Sequence, residues 1–541
     1  MKKLILPLIV FACCHAQAQQ VTITKDVRNA MNRIDTNTIR SHIAYLADDK
    51  LKGRLPGTEG YQMAVDYVVD QFKKMGVAPG GEAGSYTQKL LIRKSIVDNS
   101  SAFACLKDKD GNVDSLLFSR DFIPTPHPLK ENTSAEGKVA FAGYGIDAPN
   151  IYSDYEGIEV KGKIVVVMSG APQGFSNTTT AILSNVGNKY KTAFSKGALG
   201  VIVVNTASSG RYNPNLVVHT NVATNTDKTA AYSGFRGDLN IVMTGTRNLL
   251  NRIFSNSGKK LSQVLNDIRN KKPSSFETNF TLHAGYKTSH TDIESYNVIG
   301  LIPGSDKELK NEYVVHTAHL DHVGVGRPVD GDSIYNGAHD NASGVASLLE
   351  IARIYKSPGV KPKRSILIVM VTAEEMGLLG SSYFASNPTV PQSSIVANVN
   401  TDMPTLIAPL LSVVPLGAEH SSLMNNVQFA ASQLGLEVEE DPEPNENRFV
   451  RSDQFSFVLN GIPALHIKYG NKTSTGESLV PFVRQWRAKY YHRPADGIDG
   501  IFNFTAAKTY VQLNFLISYS VAQTTARPAW NQGGLFVAGR P

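Results

Sequence analysis

Apolar residues form short unbroken runs in the second half of the chain, separated by stretches with helical periodicity. The runs predict strands at 296–302, 313–317, 366–372, 395–400 and 462–467, and the stretches predict helices at 342–355, 376–386 and 419–435. Strands that are apolar throughout and alternate with helices are typical of a parallel sheet covered on both faces. The pattern therefore predicts an α/β fold with a mostly parallel central sheet flanked by helices.

The pattern changes between about residue 120 and residue 280. Strands are predicted at 139–144, 163–168 and 199–205, with a helix at 189–196, and a Ser-, Thr-, Asn- and Gly-rich stretch at 206–235 indicates loops. Upstream, residues 36–75 have helical character and residues 86–118 indicate strands. The predicted parts are therefore an N-terminal portion of the main domain at 19–119, a β-rich insert at 120–280, the rest of the main domain at 281–522 and a C-terminal tail at 523–541.

The first residues have the pattern of an export signal. Lys2 and Lys3 precede an apolar stretch from Leu4 to Cys14, which at 11 residues is too short to span a bilayer, and Ala16-Gln-Ala18 is a small-residue cleavage site. This predicts a signal peptide at 1–18 and an exported protein, periplasmic or extracellular. A lipid anchor at Cys13 or Cys14 is the alternative, and no membrane span is expected elsewhere.

Charge and cysteine content argue against a nucleic-acid-binding protein and against a protein stabilised by disulfides. The net charge is +7, but the basic residues are scattered, with no arginine-rich run, so a nucleic-acid partner is not expected. Removal of the signal would leave Cys105 as the remaining cysteine of the three. An exported chain without disulfides must rely on its core and on any bound metals for stability.

Several histidines and carboxylates stand just past predicted strands. In parallel sheets, ligands bind beyond the carboxyl ends of the strands, so these side chains are expected to share one site. Imidazole nitrogens and carboxylate oxygens suit a pair of zinc ions with a water between them, although mixed N/O ligands also admit Mn or Co. The candidates are His319, Asp321, Asp340, Glu374, Glu375, Asp402 and His492.

Other histidines of the same region are interpreted as structural. A single histidine beside a carboxylate is more often a core or surface pair than a ligand. This interpretation covers His316, His322, His339 and His466.

The candidates lie in ordered motifs, namely His319-Leu-Asp321, Asp340-Asn-Ala-Ser-Gly344, Glu374-Glu375 with Gly377-Leu378, Asn400-Thr-Asp-Met403 and His492. These motifs resemble those of the co-catalytic di-zinc aminopeptidases, the family of aminopeptidase Y, bacterial leucyl aminopeptidases and glutamate carboxypeptidase. Leu51-Lys-Gly-Arg54 is similar to the family's N-terminal motif. The insert resembles a protease-associated domain in its Gly143-Tyr-Gly145, Val160-Lys-Gly-Lys163 and Ala198-Leu-Gly-Val201 stretches.

The resemblance implies a role for each candidate. Asp340 would bridge two zinc ions, His319 and Asp402 would hold one, and Glu375 and His492 the other. Glu374 would be the general base, and Asp321 would orient His319. The family also implies a cis peptide bond between Asp340 and Asn341. His339 stands where members commonly have an acidic or small residue, which could change the charge beside the ligands.

These roles imply a secreted zinc-dependent aminopeptidase that hydrolyses the N-terminal bond of peptide substrates. A carboxypeptidase or dipeptidase of the same family would have the same metal ligands and a different pocket. The fold also occurs in glutaminyl cyclases and in an inactive receptor-like binding protein, but the intact ligand set argues against both. The sequence leaves the oligomeric state open.

Overall fold

The computed structural model describes residues 21–148, 151–206, 212–232, 239–255, 257–532 and 534–536. The predicted signal peptide and the residues of the possible lipid anchor, Cys13 and Cys14, lie outside the described residues. Within the described ranges, no helix combines the length and the apolar character needed to cross a membrane.

The strands, in chain order, are β1 Ala78–Pro79, β2 Thr87–Lys107, β3 Val113–Ser115, β4 Phe122–Pro124, β5 Asn132–Phe141, β6 Asp147–Ala148, β7 Tyr152–Ser153, β8 Ile164–Met168, β9 Gly200–Asn205, β10 His219–Thr224, β11 Ile241–Thr246, β12 Phe276–Ile302, β13 Tyr313–His319, β14 Val325–Val329, β15 Asp332–Ile334, β16 Ser365–Val371, β17 Ile395–Asn400, β18 Ser412–Leu416, β19 Glu437–Val438 and β20 Ala464–Tyr469.

The α-helices are α1 Lys25–Asn32, α2 Thr36–Leu46, α3 Glu59–Met75, α4 Asn177–Ser184, α5 Val186–Ser195, α6 Arg247–Ser255, α7 Leu261–Arg269, α8 Ser343–Tyr355, α9 Leu379–Ser386, α10 Leu423–Leu434, α11 Gln454–Leu459, α12 Val480–Tyr490 and α13 Phe504–Gln523.

The main domain is built on a central sheet that is mostly parallel, as predicted. Neighbouring strands in the order β20-β17-β13-β16 are parallel, and the antiparallel strands β18 and β12 flank them. Side chains of β16 alternate between two cores: Ile366 and Ile368 pack on the side of α8 and α13, and Leu367 and Val369 on the side of α9 and α11. Because both faces are covered, the strand can be apolar at every position.

The insert has its own parallel strands. They lie in the order β5-β8-β9-β11, with antiparallel β4 at the edge, and two buried clusters flank them. Helices α4 to α7 belong to this region, and the sequence pattern predicts α5 but not the other three. Strand β10 lies within the stretch whose composition predicts loops.

Two long strands connect the insert to the main domain. β2 and β12 pair antiparallel from Lys107 opposite Thr281 to Thr87 opposite Val298, with an irregularity between Gly285 and Lys287. Leu106 and Leu282 lie in the core of the insert, whereas Val298 lies in the core of the main domain. The predicted boundary at 280/281 thus falls inside β12, and the two parts share this strand.

Residues of the predicted C-terminal tail pack against the main domain. Phe536 is buried in the same core as Phe449, and the Trp530 indole N–H donates to the carbonyl of Gly461 at 3.2 Å. The described part of the tail therefore contributes to the α9 and α11 side of the sheet.

Candidate metal centre

Three adjacent parallel strands bring most of the candidate residues to one edge of the sheet. The strands lie in the order β17-β13-β16. His319 is the last residue of β13, Glu374 and Glu375 follow β16, and Asp402 follows β17. Their shared location follows from the parallel order, because the carboxyl ends of the strands meet at the same edge.

Asp340 and His492 reach the same edge from outside the sheet. Asp340 lies in a buried turn, Ala338–Ala342, that precedes α8, and His492 follows α12. The Asp340–Asn341 peptide bond is cis, which confirms the expectation from the family resemblance.

The two carboxylate oxygens of Asp340 face two different histidines. Oδ1 lies 3.2 Å from His319 Nε2, and Oδ2 lies 3.1 Å from His492 Nε2. His319 Nε2 is also 3.5 Å from Asp402 Oδ1, and His492 Nε2 is 3.2 Å from Glu375 Oε2. All five predicted ligands therefore come together, in two sets that share Asp340.

These separations fit a metal ion within each set. Zinc bonds to nitrogen and oxygen are about 2.0–2.1 Å long, so two ligand atoms of a tetrahedral zinc lie roughly 3.3 Å apart. The measured separations of 3.1–3.5 Å match that value. The donors are imidazoles, which can be neutral, and hard carboxylates, and both kinds suit zinc chemically as well.

Asp321 contacts His319 in a different way from the one expected. The family resemblance implies that Asp321 orients the His319 ring through its carboxylate, but Oδ1 lies 4.0 Å from Nδ1. The backbone carbonyl of Asp321 is the ring's partner, at 3.1 Å. The carboxylate instead accepts from the backbone N–H groups of Glu374 and Glu375, at 3.1 and 3.4 Å. One residue thus positions both the histidine and the glutamate pair.

His322 belongs to the site, although the sequence pattern predicts a structural role for it. It is fully buried, and its Nδ1 lies 2.8 Å from Glu375 Oε1. With Asp340 and Glu375 it forms a second group of possible ligands, beside His319, Asp340 and Asp402. The signal in the sequence is its position directly after Asp321.

Asn341 joins the two loops that bear Asp340 and Asp402, two of the predicted ligands. Its side chain donates to the Thr401 carbonyl at 2.9 Å and accepts from the Met403 N–H at 3.1 Å, on both sides of Asp402. A Cβ at Gly344 would lie 2.2 Å from Asn341 Oδ1, so glycine is required for this close approach. The spacing between Asp340 and Asp402 is therefore fixed by an uncharged side chain.

Arg54 supports the centre from the N-terminal part of the chain. Its buried guanidinium donates to the carbonyls of Leu320 at 2.9 Å and Gly337 at 3.0 Å. These contacts hold the end of β13 against the turn that carries Asp340. They give a physical reason for the Leu51–Arg54 motif.

Asp496 and His339 fix the turn of Asp340. The Asp496 carboxylate accepts from the backbone N–H groups of His339 and Asp340, at 3.0 and 3.1 Å. The His339 ring stacks on Phe502 with 3.9 Å between centroids, and burial lowers its pKa to about 3. His339 is therefore uncharged at neutral pH and adds no positive charge beside the ligands.

Mutual attraction shifts the pKa values of the predicted ligands. Burial alone would lower the pKa of His492, but Asp340 and Glu375 outweigh it and raise that pKa to about 10. Burial likewise opposes the charge on His319, yet Asp340 and Asp402 raise its pKa well above the usual value. The same contacts outweigh burial at Asp340 and hold its pKa well below the usual range. In the metal-free protein, the positive charge of the protonated histidines balances the negative charge of the carboxylates.

Glu374 differs from the predicted carboxylate ligands in the direction of its pKa shift. Burial, together with the charges of Asp402, Asp453 and Glu375, outweighs the opposing charge of His319 and raises the pKa of Glu374 well above the ordinary value for glutamate. A carboxyl with a raised pKa takes up a proton more readily than an ordinary one, which suits a residue that accepts and donates protons.

Two family models match the chain. The model for Peptidase family M28 matches residues 297–514, and the model for the PA domain matches residues 127–234. All the residues of the centre except Arg54 lie in the first segment.

Curated relatives match part of the chain. The aminopeptidase YwaD of Bacillus subtilis (strain 168) is 29% identical over 218 residues, which is 39% of this chain and 41% of that protein. The aminopeptidase NAALADL1 of Mus musculus is 30% identical over 217 residues, 38% of this chain and 24% of that protein. The chain thus spans less than half the length of either relative.

A solved structure is similar over most of the chain. The aminopeptidase from Aneurinibacillus sp. strain AM-1 matches 93% of this chain and 97% of its own, at 18% identity and a TM-score of 0.45. The segment similar to Peptidase family M28 contains the ordered motifs and most strands of the central sheet, and the segment similar to the PA domain lies within the insert.

Proposed function

We propose that the protein is an exported zinc-dependent aminopeptidase that uses two zinc ions. The observation that carries the proposal is the carboxylate of Asp340, which faces His319 with one oxygen and His492 with the other. One ion would lie with His319, Asp340 and Asp402, and the other with Asp340, Glu375 and His492. The relatives named aminopeptidases support the same reaction class.

His492 is the preferred second histidine ligand over His322. Its Nε2 lies at ligand-to-ligand distance from both Asp340 and Glu375. His322 instead makes a 2.8 Å hydrogen bond with Glu375 Oε1, which is typical of a residue that orients a ligand. The bond would leave Glu375 Oε2 for the metal.

Two bound zinc ions would lower the pKa of a water molecule toward neutrality and polarise the scissile carbonyl. Glu374 would accept a proton from an attacking water and pass it to the leaving amine. Asp321 holds the backbone of Glu374 in place. The neutral amine leaves without the cost of departing as an anion.

The sequence pattern of the N-terminal residues supports export of the protein. Lys2, Lys3, the apolar stretch and Ala16-Gln-Ala18 have the order of a signal peptide. With Cys105 as the remaining cysteine after cleavage, the exported protein would rely for its stability on its core and on bound metals.

A panel of substrates tests the proposal. The zinc-loaded protein is expected to hydrolyse aminoacyl-para-nitroanilides and unblocked peptides, and to lose this activity on N-acetylation of the substrate or on treatment with a chelator. Zinc should restore it. Cleavage of N-acetylated peptides from the carboxyl end would instead establish a carboxypeptidase, and an absence of hydrolysis across the panel would refute the proposed function.

A further inference from the structure

A cationic cavity lies beside the metal centre. Its volume is about 70 Å³, and Asp402 and Tyr491 form part of its wall. A water molecule needs roughly 10–15 Å³ by the same measure, so the cavity can hold a few waters or a small polar group.

Four basic side chains line this cavity: Arg448, Arg451, Lys468 and Arg487. The carboxylate in the same lining is Asp402, a predicted metal ligand. Arg448 pairs with Asp441, but its buried Nε has no hydrogen-bond partner among the described residues. In the described part of the chain, neither Arg451 nor Arg487 forms an ion pair with a carboxylate. The lining therefore has an excess of positive charge.

Lys468 has unused hydrogen-bonding capacity. Its ammonium donates to the carbonyls of Asp402 at 2.7 Å and Met403 at 2.9 Å. An ammonium has three N–H donors, so one is left for a ligand. With the Nε of Arg448, the cavity offers donors that no group of the described chain satisfies.

The cavity is physically linked to the centre. The Arg487 guanidinium lies 5.0 Å from the centroid of the Tyr491 ring, and that ring stacks on His492 with 3.9 Å between centroids. On the other side, Lys468 holds the backbone of Asp402. A group in the cavity would therefore belong to a substrate whose scissile bond lies at the metals.

We infer that this cavity binds a carboxylate of the peptide substrate, so that the enzyme prefers acidic substrates. Arginine and lysine donors form strong charge-assisted hydrogen bonds with carboxylates, and a buried donor without a partner in the described chain, such as the Arg448 Nε, is costly to leave unsatisfied. The carboxylate comes from an acidic side chain or from the free carboxyl end of a short peptide. The inference rests on the proposed function, because it assigns a substrate class to the same site.

Isosteric substrate pairs distinguish the two sources. Glutamyl- and glutaminyl-para-nitroanilide differ in the side-chain charge, and leucyl-leucine and its amide differ in the terminal charge. With the zinc-loaded enzyme, kcat/KM for the acidic member of one pair is expected to exceed that of its amide by about 10- to 100-fold, the range of a hydrogen bond to a charged group. The pair that shows the preference identifies the source.

Variants of two cavity arginines and one control position supply a second test. Arg487→Gln is expected to reduce the acid-to-amide ratio by about tenfold or more, and Arg451→Gln to reduce it in the same direction. Arg484→Gln is the control. Arg484 lies on the same helix as Arg487, three residues earlier, but its side chain is 69% exposed and pairs with Glu443 outside the cavity. This variant should keep the wild-type acid-to-amide ratio, and melting temperatures show whether each variant is folded.

A ratio within about twofold of one for both substrate pairs, in an enzyme that hydrolyses the neutral members, would overturn the inference and leave the proposed function standing. The inference would also be overturned if Arg487→Gln and Arg451→Gln both kept the wild-type acid-to-amide ratio. Calorimetric titration with glutarate and with its uncharged diamide, glutaramide, gives a readout that needs no turnover. Glutarate should bind more tightly than glutaramide, and equal binding counts against the cavity even in a protein without peptidase activity.

Discussion

The carboxylate of Asp321 accepts a hydrogen bond from the backbone N–H of Glu374, at 3.1 Å. Asp321 is fully buried, and burial raises its pKa to about 7. The residue thus acts on the glutamate through the main chain, which a motif of spaced side chains does not reveal.

Asp321→Asn tests this positioning. The amide retains one oxygen for the N–H of Glu374, but its NH₂ group cannot accept from Glu375. Loss of such a supporting residue typically costs about 10- to 100-fold in activity or metal affinity. We expect kcat to fall within about that range while the zinc content stays near that of wild type at saturating zinc. Wild-type turnover would show that the contact has no role in positioning.

Glu374→Gln should separate proton transfer from metal binding. The change removes a base without removing a predicted ligand, so turnover is expected to fall by roughly 10²- to 10⁴-fold with both zinc ions retained. Glu375→Gln is the matched comparison, since it weakens a ligand one position along the chain. It should lose zinc as well as activity. Retained turnover in Glu374→Gln, measured with elemental analysis of the same sample, would remove Glu374 from the role of base.

The two histidines beside Glu375 should have different effects on metal content. His492→Ala is expected to lose one of the two zinc ions, because it removes a ligand atom. His322→Ala should retain both at saturating zinc and bind the second about 10- to 100-fold more weakly, because it removes only the partner that orients Glu375. Zinc titration with a chromogenic chelator measures both effects. The reverse pattern would exchange the roles assigned to the two residues.

The sequence alone predicts the central sheet well because β16 is apolar at nearly every position and can only be buried on both faces. It also predicts the five side chains that the structure brings together as two sets sharing Asp340, because strand ends and ordered motifs mark them. The sequence does not identify His322 as part of the site, since a histidine directly after Asp321 gives the same pattern whether it packs in the core or contacts a predicted ligand. The structure shows its contact with Glu375. Contacts through the main chain, such as those of Asp321 and Arg54, leave no periodic signal.

The sharing of β2 and β12 between the two parts is also absent from the local pattern. Pairing of Lys107 with Thr281 joins residues far apart along the chain, and no short window contains both. For the same reason the sequence does not predict the cationic cavity. Arg448, Lys468 and Arg487 come from three separate elements, and in the sequence they are part of a scattered basic surplus.

Zinc affinity should rise with pH because the metal competes with protons for the same imidazoles. In the metal-free protein, Asp340 and Glu375 raise the pKa of His492 to about 10, and Asp340 and Asp402 raise that of His319. Both rings are therefore protonated at neutral pH, whereas a zinc ligand must be neutral, so binding releases protons. If each ion displaces one proton, the apparent affinity at each site gains about tenfold per pH unit between about pH 6 and 8.

Calorimetry of zinc binding in buffers of different ionisation enthalpy counts the protons that are released. The exposed His219, changed to Gln, should leave the count unaltered, and His492→Gln should reduce it by about one. Affinity independent of pH over this range would mean that the two imidazoles are already neutral in the free protein.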